Sequence, residues 1–340
     1  MASVWKRLSC DGDVLNLGIT LVCGQAFRWK KLNNEEWCGV LSGKVWTFKQ
    51  SSDGIYYKVN SRLSEVESTT QNESILNDYF QLNIDLHHLY DHWSSRDDNF
   101  KQVAATISGF RLLRQDPVEN LFSFICSSNN NIERISSMVE ALCVKYGGII
   151  TEVNGVVYHD FPSIATLAEP QVEQELRELK FGYRAKFIHE TAKILMKKCN
   201  KDWLISLREV PYEEAHAALC ELPGVGAKVA DCVCLMSLDK TDAIPVDTHV
   251  WQISCRDYNI PDLKKSKSLT NKAYKAIGDH FRQLFGKYAG WANSVLFSGD
   301  LKKFQDSKDL PSKSEKDDKR LKRKFNNPVA VTKTKKGRSK

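Results

Sequence analysis

Leu219-Cys220-Glu221-Leu222-Pro223-Gly224-Val225-Gly226-Ala227-Lys228-Val229-Ala230 is the stretch on which the reading of this chain turns. Two helical patterns are joined by Leu-Pro-Gly-Val-Gly, whose glycines permit a tight turn and leave backbone N–H groups uncovered where the second helix starts. Such groups bind anions, so Gly224 and Gly226 are candidate phosphate contacts. An ordinary αα-hairpin would tolerate the same glycines without binding anything. Lys228 weighs against that plainer alternative, because it puts a cation in the first helical turn, at the positive end of the macrodipole. A lysine there gains nothing for helix stability. A free amine with a pKa of about 10.4 is neutral in only about one molecule in 10³ at pH 7, so a nucleophilic lysine needs surroundings that favour the neutral form.

Downstream, Ala243-Ile244-Pro245-Val246-Asp247-Thr248-His249-Val250-Trp251 sets a carboxylate between an apolar, proline-containing segment and a new helical pattern. Asp247 suits a helix N-cap, and a carboxylate there can be cap and catalyst at once. His249 could assist with a phosphate or orient that carboxylate, and a packed histidine fits the spacing equally well.

Upstream, residues 25–59 read as an antiparallel meander. Strands are expected over Ala26–Trp29, Trp37–Leu41, Val45–Lys49 and Ile55–Val59, with turn signals at Asn33-Asn34, Ser42-Gly43 and Ser51-Ser52-Asp53-Gly54. After about Asn72 the apolar period moves from two toward 3.6. Helices are expected over Val118–Cys126, with Pro117 opening it, and over Ile132–Tyr146, stopped by Gly147-Gly148. Further helices are expected over Arg184–Lys197, Tyr212–Glu221, Ala227–Leu238, Thr248–Asp257, Ser268–Phe285 and Trp291–Lys303. The expected fold class is α+β: a sheet-containing domain over 1–117, then a large helical domain over 118–304 with the hairpin at about 212–238, then a tail over 305–340.

The formal net charge of +7 would suggest a nucleic-acid footprint if it were spread evenly. It is not: residues 311–340 carry 12 Lys+Arg against 3 Asp+Glu, which leaves 37 against 39 for residues 1–310. A DNA-binding face on the folded part must therefore be argued from local motifs. The tail lacks the aliphatic periodicity to offset ordering and is expected to be disordered. Its clusters Lys319-Arg320-Leu321-Lys322-Arg323-Lys324 and Lys333-Thr334-Lys335-Lys336 read as nuclear-import signals, with weak DNA attraction or simple solubilisation as the alternatives. No apolar run approaches a membrane span, and the early charges do not read as a secretory signal, so an intracellular place is expected. The ten cysteines contain no C-x-x-C pair, which argues against a zinc site or iron–sulfur cluster.

A hairpin with a lysine, followed 19 residues later by Val-Asp, resembles the helix-hairpin-helix DNA glycosylase superfamily that includes endonuclease III. The likeness implies Lys228 as covalent nucleophile and Asp247 as catalytic carboxylate of a glycosylase/lyase. The endonuclease III and adenine-glycosylase branches usually carry a four-cysteine loop after the aspartate, whereas here only Cys255 follows Asp247. Over about Leu21–Lys303 the chain is similar instead to the eukaryotic 8-oxoguanine DNA glycosylases, with no metal or organic cofactor implied.

Four further segments carry that resemblance. Cys23-Gly24-Gln25-Ala26-Phe27-Arg28-Trp29 resembles the segment whose glycine carbonyl accepts a hydrogen bond from the N7–H that oxidation gives guanine. By itself Gly24 reads as a strand-entry turn. In Phe124-Ile125-Cys126-Ser127-Ser128-Asn129-Asn130-Asn131-Ile132-Glu133-Arg134, the resemblance implies that Asn129 fills the vacated stack and Arg134 contacts the orphaned cytosine. Phe181-Gly182-Tyr183-Arg184 would add the wedge Tyr183 and a second cytosine contact, Arg184. Without the resemblance, Ser128 and Asn129 read as helix N-caps. Cys232 lies four residues after Lys228 on one helix face, and the resemblance implies that it and Phe297 sandwich the flipped base.

One departure concerns Asn293. The family usually carries glutamine four residues before this phenylalanine, and asparagine is one methylene shorter. The function implied is excision of 8-oxoguanine opposite cytosine from duplex DNA by a nuclear, monomeric enzyme, with a mitochondrial pool left open. Two rivals stand beside it: a non-catalytic hairpin DNA-binding module, and a glycosylase/lyase for oxidised pyrimidines.

Overall fold

The computed structural model describes residues 4–10, 14–32, 36–60, 69–198, 200–263 and 268–301. The expected tail over 305–340, with both basic clusters, lies outside the described residues. The described residues form one compact unit.

The meander folds as a five-stranded antiparallel sheet of order β1-β5-β4-β3-β2, formed by β1 (Lys6–Arg7), β2 (Lys30–Lys31), β3 (Glu36–Leu41), β4 (Lys44–Ser51) and β5 (Gly54–Asn60). Period-two alternation gives each face its own core. Trp46 and Phe48 pair across the strands with Val59 and Tyr57 and pack with Trp37 and Trp29 on one face. Cys38, Val40 and Val45 pack on the other against Ile150 and Tyr158. Those last two belong to a hairpin absent from the sequence reading, β6 (Ile149–Val153) and β7 (Val156–His159), which turns at Asn154 and Gly155 with φ of +51° and +78°.

The first expected strand, Ala26–Trp29, is not one; pairing begins only at Lys30. The side chains of Gln25–Trp29 are spent on tertiary contacts instead. Gln25 donates to Thr20 O and Arg111 O, both at 2.9 Å. Arg28 pairs with Glu119 at 3.2 Å, and Trp29 Nε1 donates to Tyr79 Oη at 2.8 Å. Trp29 also lies so close to Gly39 that a Cβ there would stand 2.4 Å from its ring.

Between β1 and β2 comes the short α1 (Leu17–Thr20), and after β5 come α2 (Thr69–Tyr79), α3 (Leu86–Arg96) and α4 (Asp98–Ala104). The helical body continues with α5 (Pro117–Ile125), α6 (Ile132–Tyr146), α7 (Ile164–Leu167), α8 (Val172–Glu178), α9 (Arg184–Lys197) and α10 (Asn200–Ser206). The hairpin is α11 (Tyr212–Cys220) and α12 (Ala227–Ser237), followed by α13 (Thr248–Asp257), α14 (Asn271–Phe285) and α15 (Ala289–Asp300). Starts follow their caps: Asp116 before α5, Asn131 before α6, Asp247 before α13 and Thr270 before α14 each accept a backbone N–H of the first turn. The cap of α6 is thus Asn131 and not Ser128 or Asn129: Asn131 is extended and accepts Arg134 N, whereas Asn129, two residues earlier, adopts φ +47°. Among the described residues no helix is long and apolar enough to cross a membrane, and no His/Cys/Asp/Glu cluster could hold a metal.

Candidate active site

The hairpin turn is built by close approach. At Gly224, φ is +78° and a Cβ would stand 2.7 Å from the Phe187 side chain of α9, so only glycine lets α9 seat against the turn. Gly226, the N-cap of α12, has no side-chain cap, is exposed, and faces open space where a Cβ would project. The first N–H groups of α12 therefore meet solvent at the positive end of the helix, an arrangement suited to a phosphate.

Lys228 is the second residue of α12. Its Nζ donates to Ser127 Oγ at 3.1 Å and stands 4.7 Å from the centroid of the Phe124 ring. Phe124 is in turn met edge-on by Phe27 at 5.5 Å, which ties the Cys23–Trp29 segment to the floor beneath the amine. Cys232, one turn along α12, is buried. Burial pushes its thiol up to about 12, against the pull of Lys228 and with a push from the Asp231 and Asp247 carboxylates. It is therefore a neutral thiol that feels both the amine and the Asp247 carboxylate. Asp247 is half-buried, and its Oδ1 accepts His249 N and Val250 N, both at 2.9 Å. Helix capping thus aims the carboxylate and supplies it with donors.

A second group lies along α13 and α15. His249 Nδ1 stands 3.6 Å from Asp300 Oδ2, and its ring meets Phe297 edge-on at 5.9 Å. The hydrogen bond to Asp300 raises the His249 pKa above its ordinary value, and the nearby Asp247 carboxylate adds to the effect. Phe297 is partly exposed, whereas Asn293, four residues earlier on the same helix face, is buried. An apolar ring left open to solvent beside a histidine is available for stacking.

The third group is the loop before α6. Ser128 O accepts from Tyr183 Oη at 3.1 Å and also from Arg184 Nη2, which reaches Asn129 O at 3.3 Å. Arg184 is 4% exposed and stacks at 4.7 Å on the Tyr183 ring, while its Nε is buried without a hydrogen-bond partner among the described residues. Tyr183, Asn129 and Arg134 are exposed. Gly24 (φ +94°) sits against the first residue of α6, where a Cβ would stand 2.9 Å from Ile132 Cδ1.

Ser127 joins the groups, because it sits at the head of the loop and holds the amine. Neither Ser127 nor Asp300 stands out in the sequence, since a serine among Cys-Ser-Ser-Asn and an aspartate near a helix end are ordinary. Asp231 carried a signal that could have found it: it is a lone acid inside an apolar helical run.

Residues 7–121 match a family model described as the 8-oxoguanine DNA glycosylase N-terminal domain, and residues 122–278 match the HhH-GPD superfamily of base excision DNA repair proteins. That class accounts for the hairpin, the lysine and the capping aspartate. The chain is 41% identical over 301 residues to the N-glycosylase/DNA lyase OGG1 of Arabidopsis thaliana, covering 87% of this chain and 80% of that protein. It is 36% identical over 336 residues to an N-glycosylase/DNA lyase of Saccharomyces cerevisiae, covering 88% of this chain and 87% of that one. Its fold matches the 8-oxoguanine glycosylase/lyase of Clostridium acetobutylicum in complex with DNA carrying cytosine opposite 8-oxoguanine, with TM-score 0.73, 30% identity, and coverage of 84% of this chain and 91% of that one. The chain belongs to the OGG-type N-glycosylase/DNA lyase family, and is a base excision DNA repair enzyme that binds DNA.

Proposed function

We propose that the enzyme flips 8-oxoguanine out of a pair with cytosine and excises it, with Lys228 as covalent nucleophile. The observation that carries this reading is the Lys228 amine in the first turn of α12, held by Ser127 Oγ at 3.1 Å over the Phe124 ring, with the Cys232 thiol one turn along feeling both that amine and the Asp247 carboxylate that caps α13. The Clostridium enzyme of similar fold, bound to DNA with cytosine opposite 8-oxoguanine, supports the choice of lesion. The base stacks between Cys232 and Phe297, Asn293 faces its Watson–Crick edge, and the Gly24 carbonyl accepts its N7–H. An unmet N–H in a dry pocket costs about 1–3 kcal/mol, so this bond separates the lesion from guanine by roughly tenfold to a hundredfold.

As the bond from C1′ to N9 breaks, its electron pair leaves with the base, and the Asp247 carboxylate stabilises the positive charge gathering on the sugar. The Lys228 lone pair closes on C1′, Nζ gives up a proton, and ring opening yields a Schiff base. The imine acidifies C2′–H; removal of that proton expels the 3′ phosphate by β-elimination, and water then frees the lysine. Gly224 and Gly226 present α12 N–H groups to a backbone phosphate, and His249 adds a cation beside it. Asn129 and Tyr183 occupy the opened stack while Arg134 and Arg184 donate to cytosine. The protein acts as a monomer, and the basic clusters beyond residue 311 support import into the nucleus.

The test is incubation of the whole chain with an 8-oxoguanine:cytosine duplex and borohydride, with peptide mapping of the adduct. A DNA adduct on Lys228 is expected. Excision without any trapped lysine would end the covalent mechanism, and a preference for oxidised pyrimidines would end the choice of lesion.

A further inference from the structure

Asp231 interrupts α12, which is otherwise buried and uncharged from Val229 to Ser237. It is fully buried, and a carboxylate in such a place is costly unless hydrogen bonds replace its water. They do. Asp231 Oδ1 accepts Tyr212 Oη of α11 at 2.6 Å, Oδ2 accepts Tyr274 Oη of α14, and His216 Nε2 stands 3.8 Å from Oδ1. Packing α12 between its neighbours would need only an apolar side chain here. The carboxylate has a different use, visible from the other side of Tyr274.

Two acceptors lie within reach of the Tyr274 hydroxyl, Asp231 Oδ2 and, farther off at 3.4 Å, Ile244 O; its single proton goes to the nearer carboxylate, which leaves the oxygen's lone pairs free to accept. Val246 N lies 3.4 Å from that oxygen, and Val246 is the residue immediately before Asp247. Pro245, next in line, has no N–H, so Val246 supplies the last backbone donor before the capping aspartate. A continuous chain therefore runs from α12 through Asp231 and Tyr274 to the backbone that carries Asp247. Asp231 is three residues from Lys228 and adjacent to Cys232, so one end of the chain is set on the helix of the amine and the other on the carboxylate.

We infer that Tyr274, anchored by Asp231, is a positioning residue that holds Asp247 in register with Lys228. This rests on the reading of Lys228 and Asp247 as the reacting pair. The two sit on different helices joined by a loop, and the covalent connection alone does not set their separation. Misplacement by about 1 Å can cost roughly 10²-fold in rate, so a single buried hydrogen-bond chain has leverage over catalysis without touching DNA.

Tyr274→Phe keeps the ring and deletes only the hydroxyl. Single-turnover excision from an 8-oxoguanine:cytosine duplex should fall about tenfold or more, with the Kd for that duplex changed less than about twofold. Asp231→Asn, which offers Tyr274 a donor or a repositioned acceptor, should reproduce the rate loss at unchanged Kd and guards against a folding failure of the first variant. The decisive measurement is the double variant with Asp247→Asn. If Tyr274 acts through Asp247, its removal in that background should cost less than about twofold. A wild-type rate for Tyr274→Phe, or an equal loss in both backgrounds, would overturn the inference. A wild-type rate for Asp247→Asn alone would instead sink the assignment of the reacting pair, and the inference with it.

Discussion

The chemical end of the site and the loop before α6 are held in opposite ways. Lys228 and Asp247 stand at helix starts, where backbone geometry aims the side chain and buried neighbours back it: Cys232 and Phe124 by the amine, two first-turn N–H groups under the carboxylate. Asn129 and Arg134 stand in the open, on a stretch that includes a non-glycine residue at φ +47°, and it is the loop's own carbonyls that Tyr183 and Arg184 grip. The difference matches the two tasks proposed for them. Bond breaking needs a constellation rigid before DNA arrives, whereas reading an estranged base needs donors that can exchange a backbone carbonyl for a nucleobase.

The largest effects should come from the rigid end. Lys228→Gln should lower excision by at least roughly 10³-fold and abolish borohydride trapping while lesion binding persists, measured by single-turnover kinetics and gel shift on the same duplex. Excision near the wild-type rate would break the comparison outright, because the best-supported side chain would prove dispensable. Asp247→Asn should cost about 10²-fold in rate, since an amide cannot offset developing positive charge. It should leave the melting temperature nearly unchanged, since asparagine caps a helix about as well as aspartate. A large fall in melting temperature with activity per folded molecule preserved would show that Asp247 is a cap and nothing more.

What could be read without coordinates follows the same division. Lys228 and Asp247 were legible for opposite reasons: the lysine breaks a local rule, a cation at the positive end of a helix, and the aspartate keeps one, a capping acid between an apolar segment and a helical pattern. Most helices could be read from caps and periodicity: Ile132–Tyr146, Arg184–Lys197 and Thr248–Asp257 begin and end where expected. The β6–β7 hairpin was missed although Asn154-Gly155 between β-branched runs is a strong hairpin signal, because it falls inside a helical stretch. Ala26–Trp29 has strand composition and no ladder, since its Arg28 and Trp29 side chains bond to Glu119 and Tyr79, both distant in sequence, and the Gln25 side chain just before it bonds to the Thr20 and Arg111 carbonyls. Nothing local announces Ser127 as the partner of Lys228, 101 positions away. Pairings of that separation are set by the fold.

The loop should respond more weakly, and its two arginines differently. Arg134 is exposed, so Arg134→Ala should leave stability unchanged and flatten the preference for cytosine over adenine, about tenfold in the intact enzyme. Arg184 is buried and bonded to the carbonyls of Ser128 and Asn129. Arg184→Ala should therefore flatten the preference and also lower the melting temperature, by about 2–4 °C for each kcal/mol lost in a chain of this size. Excision opposite each of the four bases, beside thermal melts, separates the outcomes. Equal wild-type rates opposite cytosine and adenine would remove both arginines from base reading and leave Arg184 a brace for the loop.

The smallest effect tests whether rigidity extends from Asp247 to the wall of the pocket. His249 is half-exposed, and its pKa is raised by the hydrogen bond to Asp300, which in turn is held below its ordinary value: burial opposes this, but His249 and Arg256 outweigh it. The signs define a window. A raised histidine contributes fully below its ordinary pKa of 6.5 and loses that contribution as pH climbs through its higher folded value. A lowered aspartate contributes above its ordinary value of 3.8 and loses it as pH falls through the lower folded one. The pair is therefore at full strength between those two ordinary values and weakens on the alkaline side, where Asp300 still holds Arg256 at 2.9 Å. An ion pair this open to solvent is worth at most about 1 kcal/mol. Asp300→Asn should consequently lower the melting temperature by only a few degrees, about 2–4 °C at most, with the deficit greatest near pH 5.5 and smaller but not zero near pH 8.5. The histidine resonances should report the same change directly, the His249 pKa falling back toward 6.5 in the variant. Because His249 meets Phe297 edge-on, loosening it should also weaken binding of a duplex with the lesion more than binding of an undamaged one. A deficit that does not vary with pH would mean that Arg256 alone accounts for Asp300, and that His249 stands against Phe297 without help from the carboxylate behind it.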